Sequence, residues 1–370
     1  MRESIRQSKR WVVKVGSSLV TNNGRGLDLS AIEDWAGQLV AMQKLGIQVV
    51  LVSSGAVAEG VARLDLKSRP KQVQLQQAAA AVGQMGLIQA YESCFMRHGV
   101  HAAQILLSHD DLSDRTRYLN ARSTLTTLLE MGVIPVVNEN DTVATAELCF
   151  GDNDTLAALV ANLIGAETLL LLTDQPGLMT ADPAKDAGAE LVTTLPAADK
   201  TLDDMAGEGS ALGRGGMITK IQAARVAARS GANTIIASGR EPSVISRISR
   251  SERVGTLLTA ADESMVARKQ WLATLPVKGT LLLDTKACQA LTADGRSLLA
   301  VGVTETRGNY TRGEIVSCVT ADGHEIARGM ANYGGSDVQR ICGISSDSIE
   351  AVLGFVVEEE LIHRDNLVLS

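Results

Sequence analysis

The feature that most constrains this fold is a series of short apolar, β-branched runs separated by helical stretches. In chain order the runs are Trp11–Val15, Gln48–Val52, Val133–Val137, Thr168–Leu172 and Asn233–Ala237. This alternation predicts an α/β domain with a mostly parallel open sheet sandwiched by helices. The stretches with helical periodicity are Leu29–Leu45, Lys71–Arg97, Thr116–Met131 and Lys220–Ser230.

Each apolar run ends in small or polar residues. The endings read KVGSS, SSGA, NEND, TDQPG and ASG. Ligands of open α/β sheets bind outside the carboxyl ends of the strands. We therefore predict that the five endings converge on one site.

The chain is long enough for a second domain, since 370 residues exceed the usual size of a single core. From Pro276 onward the residue pattern changes to short runs typical of β-strands, which are separated by two ADG turns. These runs are Gly279–Asp284, Leu298–Val303 and Glu314–Thr320. The prediction is a first domain over residues 1–264, a linker over 265–275 and a compact β-rich domain over 276–370.

Charge and cysteine usage narrow the class of protein. A formal net charge of −7 argues against a nucleic-acid binder held by bulk electrostatics. The cysteines are scattered without a CxxC pair, which indicates free thiols in a reducing cytoplasm and no Cys/His metal centre. Lys14 interrupts the first apolar run, so this run is no signal segment, and no run is long enough to span a bilayer. A cytoplasmic enzyme acting on a small molecule is the prediction.

Two strand endings are suited to binding an anion. In KVGSS, Gly16 permits close approach of the backbone to a ligand, and Lys14 adds a full positive charge. In SSGA, the amides of a helix start attract a carboxylate or phosphate, and Ser54 adds a hydroxyl. Each motif alone also fits an ordinary turn, or a helix N-cap formed by Ser53 or Ser54.

Polar clusters follow the later strands. Asn138–Thr142 reads NENDT and Gly151–Asp154 reads GDND, which fits either two Asx-turns or, taken together, a polar site. Residues 213–220, GRGGMITK, form a glycine-rich loop that opens a helix with Lys220 in its first turn. A cation there opposes the helix dipole unless a phosphate lies nearby. Two lysines, glycine amides and Mg²⁺ can neutralise a phosphoryl-transfer transition state without a P-loop.

Together these motifs resemble the amino acid kinase family, and within it the members that phosphorylate the side chain of glutamate. The most specific stretches are NENDTVATAE at 138–147 and FGDNDTLAA at 150–158. The resemblance implies transfer of the γ-phosphoryl group of ATP to L-glutamate, with Mg²⁺ that has no direct protein ligands. It further implies γ-glutamyl phosphate as the product, an entry to proline synthesis, feedback inhibition by proline and a homo-oligomer.

The resemblance also implies roles for individual residues. Lys14 and Lys220 would hold the transferring and leaving phosphoryl oxygens, and Asp152 would orient both lysines. The implied glutamate-binding residues are Ser54, Asp141 and Asn153, with Asp141 at the α-amino group. The implied nucleotide-binding residues are Lys14, Thr173, Asp174, Arg214, Gly215, Gly216, Met217, Ile218, Thr219 and Lys220. Two residues depart from the family pattern. Arg214 would add a contact to a phosphate, and Met179 would loosen the packing near the adenine.

Two alternatives stay open. One is another carboxylate kinase of the family, for instance one acting on N-acetylglutamate, although Asp141 favours a free α-amino group. The other is an RNA-associated regulatory protein with a vestigial kinase domain, because the C-terminal stretch resembles a PUA domain. From Gly279 to Ser370 there are 7 Lys and Arg against 13 Asp and Glu, a net −6. This charge suits a phosphate backbone poorly and favours a regulatory or assembly role.

Overall fold

The computed structural model describes residues 2–21, 26–143, 153–181, 186, 188–206, 216–260 and 276–369. The chain forms two compact units, each described by itself. The first unit comprises Met1–Leu112 and Thr124–Ser264, and the second comprises Ser113–Ser123 and Met265–Ser370.

The first unit is built on an eight-stranded sheet. Its strands are β1 (Arg10–Val15), β2 (Gln48–Ser53), β3 (Ala102–Leu107), β4 (Ile134–Glu139), β5 (Thr168–Thr173), β6 (Thr194–Pro196), β7 (Asn233–Ser238) and β8 (Thr256–Thr259). They lie in the order β3-β4-β2-β1-β5-β7-β8-β6. β7 and β8 pair antiparallel, and the other neighbours pair parallel. The predicted parallel α/β sheet is therefore confirmed.

Helices connect these strands. In chain order they are α1 (Arg2–Gln7), α2 (Ser17–Val20), α3 (Leu29–Lys44), α4 (Ala56–Arg63), α5 (Val73–Met96), α6 (His109–Ser113), α7 (Arg115–Glu130), α8 (Asn153–Ile164), α9 (Thr201–Met205), α10 (Met217–Ala228) and α11 (Val244–Ser249). The four predicted helices correspond to α3, α5, α7 and α10. Asp28 caps α3 by accepting a hydrogen bond from the Ala31 N–H.

The five predicted strands are confirmed, and three further strands were not predicted. β3 lies at the sheet edge and contains Ile105 as its single β-branched residue, so its sequence carries a weak strand signal. β6 and β8 have only three and four residues. Short strands and edge strands bury few side chains, which leaves little apolar pattern to detect.

Successive side chains of β1 lie on opposite faces of the sheet and therefore contact different helix layers. Trp11, Val13 and Val15 are buried in one core cluster with side chains of α3, α5 and α11. The other face of the sheet is covered by α8, packed on β1 and β5, and by α10, packed on β7. Because neighbouring residues of a strand point to opposite faces, Lys14 faces the α8 and α10 layer.

The second unit is β-rich, as predicted. Its strands are β9 (Val277–Leu283), β10 (Leu298–Leu299), β11 (Val303–Arg307), β12 (Ile315–Val319), β13 (Glu325–Met330), β14 (Glu360–Ile362) and β15 (Leu367–Leu369). Five of them form a sheet in the order β11-β9-β12-β13-β15, and β10 pairs with β14. The helices are α12 (Thr285–Thr292), α13 (Gly335–Ile341) and α14 (Ile349–Leu353). The predicted run Leu298–Val303 is interrupted by a 3₁₀ turn at Ala300–Gly302.

A short segment from the first third of the sequence, Ser113–Ser123, also belongs to the second unit. Leu119 is buried with Ile315 and Met330 in one apolar cluster. The Arg122 guanidinium donates a hydrogen bond of 2.7 Å to Asn366 Oδ1. These contacts explain why Ser113–Ser123, placed in the first domain by the sequence analysis, groups with the second unit. The linker over 265–275 lies outside the described residues.

Two other sequence expectations can be compared with the described residues. The cysteines among them, Cys94, Cys288, Cys318 and Cys342, carry free thiols, and Cys149 lies outside this part of the chain. No helix in the described ranges combines the length and apolar character needed to cross a bilayer.

Candidate active site

The endings of the five predicted strands lie side by side. β4, β2, β1, β5 and β7 are consecutive parallel neighbours in the sheet. Their carboxyl ends therefore share one edge, and the polar residues that follow them are gathered there.

Two lysines at this edge share one carboxylate. Lys14 Nζ lies 2.5 Å from Asp154 Oδ1, and Lys220 Nζ lies 3.0 Å from Asp154 Oδ2. All three residues are buried: Lys14 and Lys220 are 5% exposed, and Asp154 is 0% exposed. The predicted pairing of the two lysines is thus a direct, buried ion-pair cluster, hereafter the Lys–Asp–Lys cluster.

Three elements bring this cluster together. Lys14 projects from β1 toward the layer of α8 and α10. Asp154 is the second residue of α8, and Lys220 is the fourth residue of α10. Thr219 Oγ1 donates to Gly216 O at 2.7 Å and to Asp154 Oδ2 at 3.2 Å, which ties the start of α10 to the same carboxylate.

The charge balance of the cluster favours a bound anion. Burial alone would raise the pKa of Asp154, but attraction and hydrogen bonds from Lys14 and Lys220 outweigh it and hold this pKa below the usual range. Asp154 is therefore ionised at neutral pH. Two ammonium groups against one carboxylate leave the three side chains with a net charge of +1, which suits a phosphate or carboxylate ligand.

The depressed pKa of Asp154 predicts how stability depends on pH. The unfolded chain binds a proton at this carboxyl more readily than the folded chain does, so acid favours unfolding. The contribution of the cluster is fully present above about pH 5 and decreases as the pH falls through the folded-state pKa. Urea unfolding between pH 7 and pH 3 should show this loss for the wild type and a smaller loss for Asp154→Asn. Parallel pH profiles for both proteins would contradict the prediction.

A second polar network lies beside the cluster. Asn153, the first residue of α8, directs its side-chain Nδ2 toward three acceptors: Ser53 O at 3.0 Å, Ser54 Oγ at 3.0 Å and Asn138 Oδ1 at 2.8 Å. The structure therefore brings Ser54 and Asn153, two residues predicted to bind substrate, into contact. Asn138 at the end of β4 was not assigned a role by sequence reasoning, although it opens the NEND motif.

A cavity of about 340 Å³ lies next to this network. Asp141, the third residue predicted to bind substrate, lines it together with Gln84 of α5. Small-molecule sites have volumes of roughly 300–1,000 Å³, so the cavity is of suitable size. Gln84 could not be recognised from the sequence, because a glutamine within a long helix carries no signal of its own.

The residues predicted to bind nucleotide lie on the β5 and α10 side. Thr173 ends β5, and its Oγ1 donates to Asp174 Oδ1 at 3.1 Å. Gly216 precedes α10 in an extended conformation and caps it without a side-chain hydrogen bond. The first-turn amides, those of Met217, Ile218 and Thr219, can therefore face an anion.

Not every predicted site residue falls within the described part of the chain. Asp152, Arg214 and Gly215 lie outside the described residues, whereas Met179 forms a bridge to Leu191. The predicted role of Asp152 in orienting both lysines stays a prediction, because this residue is outside the described part of the chain, and the carboxylate found between the lysines is that of Asp154. The reason is geometric: α8 begins at Asn153, and its first turn directs Asp154 at β1.

The interpretation of SSGA as a serine N-cap is wrong. The N-cap of α4 is Gly55, which makes no side-chain cap bond and has φ 109°. A side chain there would be strained and would approach Thr21 Cγ2 to 3.1 Å, so the turn requires glycine. Ser53 Oγ instead lies 3.0 Å from Tyr91 OH, and Ser54 Oγ accepts from Asn153.

The fold and this cluster define a member of a known class. The model of the amino acid kinase family matches residues 9–238, and that of the PUA domain matches residues 279–353. The chain belongs to the amino acid kinase family and carries a PUA domain at its C-terminal end.

Individual relatives make the comparison more specific. The chain is 60% identical to glutamate 5-kinase of Nitrosospira multiformis and 58% identical to glutamate 5-kinase of Burkholderia multivorans. Both alignments cover 100% of each chain. It is also similar to the crystal structure of T. acidophilum isopentenyl phosphate kinase, with 16% identity and a TM-score of 0.48 over 67% of this chain and 99% of that one. The latter likeness is too distant to bear on the site.

Proposed function

We propose that this chain transfers the γ-phosphoryl group of ATP to the side-chain carboxylate of L-glutamate, forming γ-glutamyl phosphate and ADP. The observation that carries the proposal is the buried Lys–Asp–Lys cluster beside the polar network of Ser54 and Asn153. Full-length identity of 58% to 60% to glutamate 5-kinases supports glutamate as the acceptor and the first step of proline synthesis as the place of the reaction.

The proposed reaction is an in-line displacement. A carboxylate oxygen of glutamate attacks the γ-phosphorus, and the bond from that phosphorus to the bridging oxygen of ADP breaks. Glutamate is already ionised at neutral pH, so no general base is needed. Lys14 and Lys220 would balance the negative charge on the transferring and leaving oxygens, while Asp154 keeps the two ammonium groups in place.

ATP would bind at the β5 and α10 side of the edge. Thr173 and Asp174, and the loop from Arg214 to Lys220, are the proposed nucleotide contacts. Mg²⁺ typically keeps several waters and binds through substrate phosphates. Since the carboxylate of Asp154 is already bonded to both lysines, we place Mg²⁺ on the phosphates of ATP, without direct protein ligands.

The decisive experiment is a substrate panel with ATP and Mg²⁺, in which hydroxylamine traps any acyl phosphate. We expect a hydroxamate with L-glutamate and none with N-acetyl-L-glutamate or L-aspartate. A product formed only from N-acetyl-L-glutamate would select the alternative carboxylate kinase. Hydroxamate from none of the acceptors would favour a vestigial kinase domain.

Asp141 is proposed to bind the α-ammonium group of glutamate. Asp141→Asn removes the charge and should raise the KM for L-glutamate by about 10- to 100-fold, because hydrogen bonds to charged groups contribute about 1.5–3 kcal/mol. Glutarate, which lacks the amino group, serves as the control, and its inhibition constant should not change. Equal weakening of both ligands would contradict the assignment.

The proposal also covers inhibition of the enzyme by its pathway product, its oligomeric state and the role of the PUA domain. Proline as a feedback inhibitor and a homo-oligomeric state follow from the resemblance to the relatives. The acidic charge of residues 279–370 supports a regulatory or assembly role for the PUA domain. Electrophoretic binding of the purified protein to RNA at physiological salt would contradict that role.

A further inference from the structure

Gln84 is a buried residue that the phosphoryl-transfer mechanism does not use. It lies on α5, is 7% exposed, and lines the cavity of about 340 Å³ that Asp141 also lines. Within the described part of the chain, its side-chain Nε2 is a buried donor without a hydrogen-bond partner. Buried polar atoms are nearly always paired, so this exception calls for a physical reason.

The orientation of the Gln84 amide is determined by its neighbours. The backbone N–H of Glu139, which can only donate, lies 2.9 Å from Asn138 Oδ1. Asn138 therefore presents its Nδ2 on the other side, and this group donates to Gln84 Oε1 at 2.7 Å. Because Gln84 must present its oxygen to Asn138, its NH₂ group is directed elsewhere. An amide flip would place two donors, or two acceptors, against each other.

The same chain of hydrogen bonds reaches the proposed acceptor site. Asn153 Nδ2 donates both to Asn138 Oδ1 and to Ser54 Oγ. A continuous series of hydrogen bonds thus runs from Asn153, which precedes Asp154, through Asn138 to Gln84. A ligand whose reacting end lies at Ser54 and Asn153 would extend its other end toward the cavity of Gln84 and Asp141.

The cavity offers one group for each charge of an amino acid. The carboxylate of Asp141 suits an α-ammonium, and the unpaired N–H donor of Gln84 suits an α-carboxylate. We propose that Gln84 Nε2 donates a hydrogen bond to the α-carboxylate of the bound amino acid and thereby selects acceptors that carry this group. This inference rests on the proposed function, because it assigns one end of the same substrate.

Gln84→Glu is the sharpest test of this inference. The variant keeps an oxygen for Asn138 Nδ2, loses the donor, and adds a negative charge that repels an α-carboxylate. The KM for L-glutamate should rise by about 10- to 100-fold, the range for a hydrogen bond to a charged group. The KM for ATP should not change. Gln89→Glu, the same substitution at an exposed position of α5, is the matched control and should leave both constants unchanged.

A comparison of L-glutamate with an analogue that lacks the α-carboxylate is the second part of the test. 4-Aminobutanoate retains the acceptor carboxylate and the amino group but lacks the α-carboxylate, so Gln84→Glu should not weaken its inhibition constant. Gln84→Met, uncharged and of similar size, gives the same comparison if the first variant does not fold. Parallel losses for L-glutamate and 4-aminobutanoate would mean a structural role and overturn the inference. Failure of the wild type to form γ-glutamyl hydroxamate would overturn the proposed function instead.

Discussion

Replacing Asp154 by Asn is expected to reduce phosphoryl transfer by about 10²- to 10³-fold, the range for loss of one preorganised electrostatic group. Asp154 is 0% exposed and bonds both lysines, so its charge keeps two ammonium groups close together. Asparagine has nearly the same shape but no charge. Lys14 and Lys220 would then repel each other and leave the positions that the phosphoryl oxygens require.

The same substitution should lower the free energy of unfolding. Removing one partner of a buried ion pair costs about 3–5 kcal/mol, because the remaining charges stay buried without compensation. Urea unfolding at pH 7 measures this loss, and hydroxamate formation measures turnover. Asp65→Asn is the matched control, since Asp65 is exposed and asparagine tolerates its φ of 51°. An Asp154→Asn variant with normal turnover would remove the cluster from the mechanism.

Replacing either lysine by Met should reduce kcat by about 10²- to 10³-fold, again because charge opposite the transition state is lost. Lys14 and Lys220 are only 5% exposed, so each substitution also breaks a buried ion pair. The loss of stability should nevertheless be smaller than for Asp154→Asn, since the remaining lysine still pairs with Asp154.

Steady-state kinetics with ATP and L-glutamate distinguish this prediction from a general loss of structure. We expect a fall in kcat with a modest change in the KM for L-glutamate. Lys9→Met is the matched control, because Lys9 is an exposed lysine just before β1. Near-normal kcat in Lys14→Met or Lys220→Met would show that the affected lysine does not stabilise the transition state.

Much of the fold could be predicted because buried strands carry a strong local signal. β1, β2, β4, β5 and β7 each contain a run of apolar residues that ends abruptly in polar residues. β3 could not be predicted from the same pattern, since its six residues are mostly half-buried at the sheet edge. The assignment of Ser113–Ser123 to the second unit could not be predicted either, because it depends on contacts of Leu119 with residues about 200 positions later in the chain.

Residue types and spacing alone placed Lys14 at a strand end and Lys220 in the first turn of a helix, and a family resemblance assigned both to phosphoryl chemistry. The tertiary structure showed that Asp154 pairs with both lysines. GDND offers Asp152 and Asp154, and only the start of α8 at Asn153 determines that Asp154 faces β1. It also decided the direction of the Gln84 amide, because a hydrogen-bond orientation depends on neighbours that are distant in the sequence. Local patterns specify which groups are present, whereas packing sets the angles and distances at which they act.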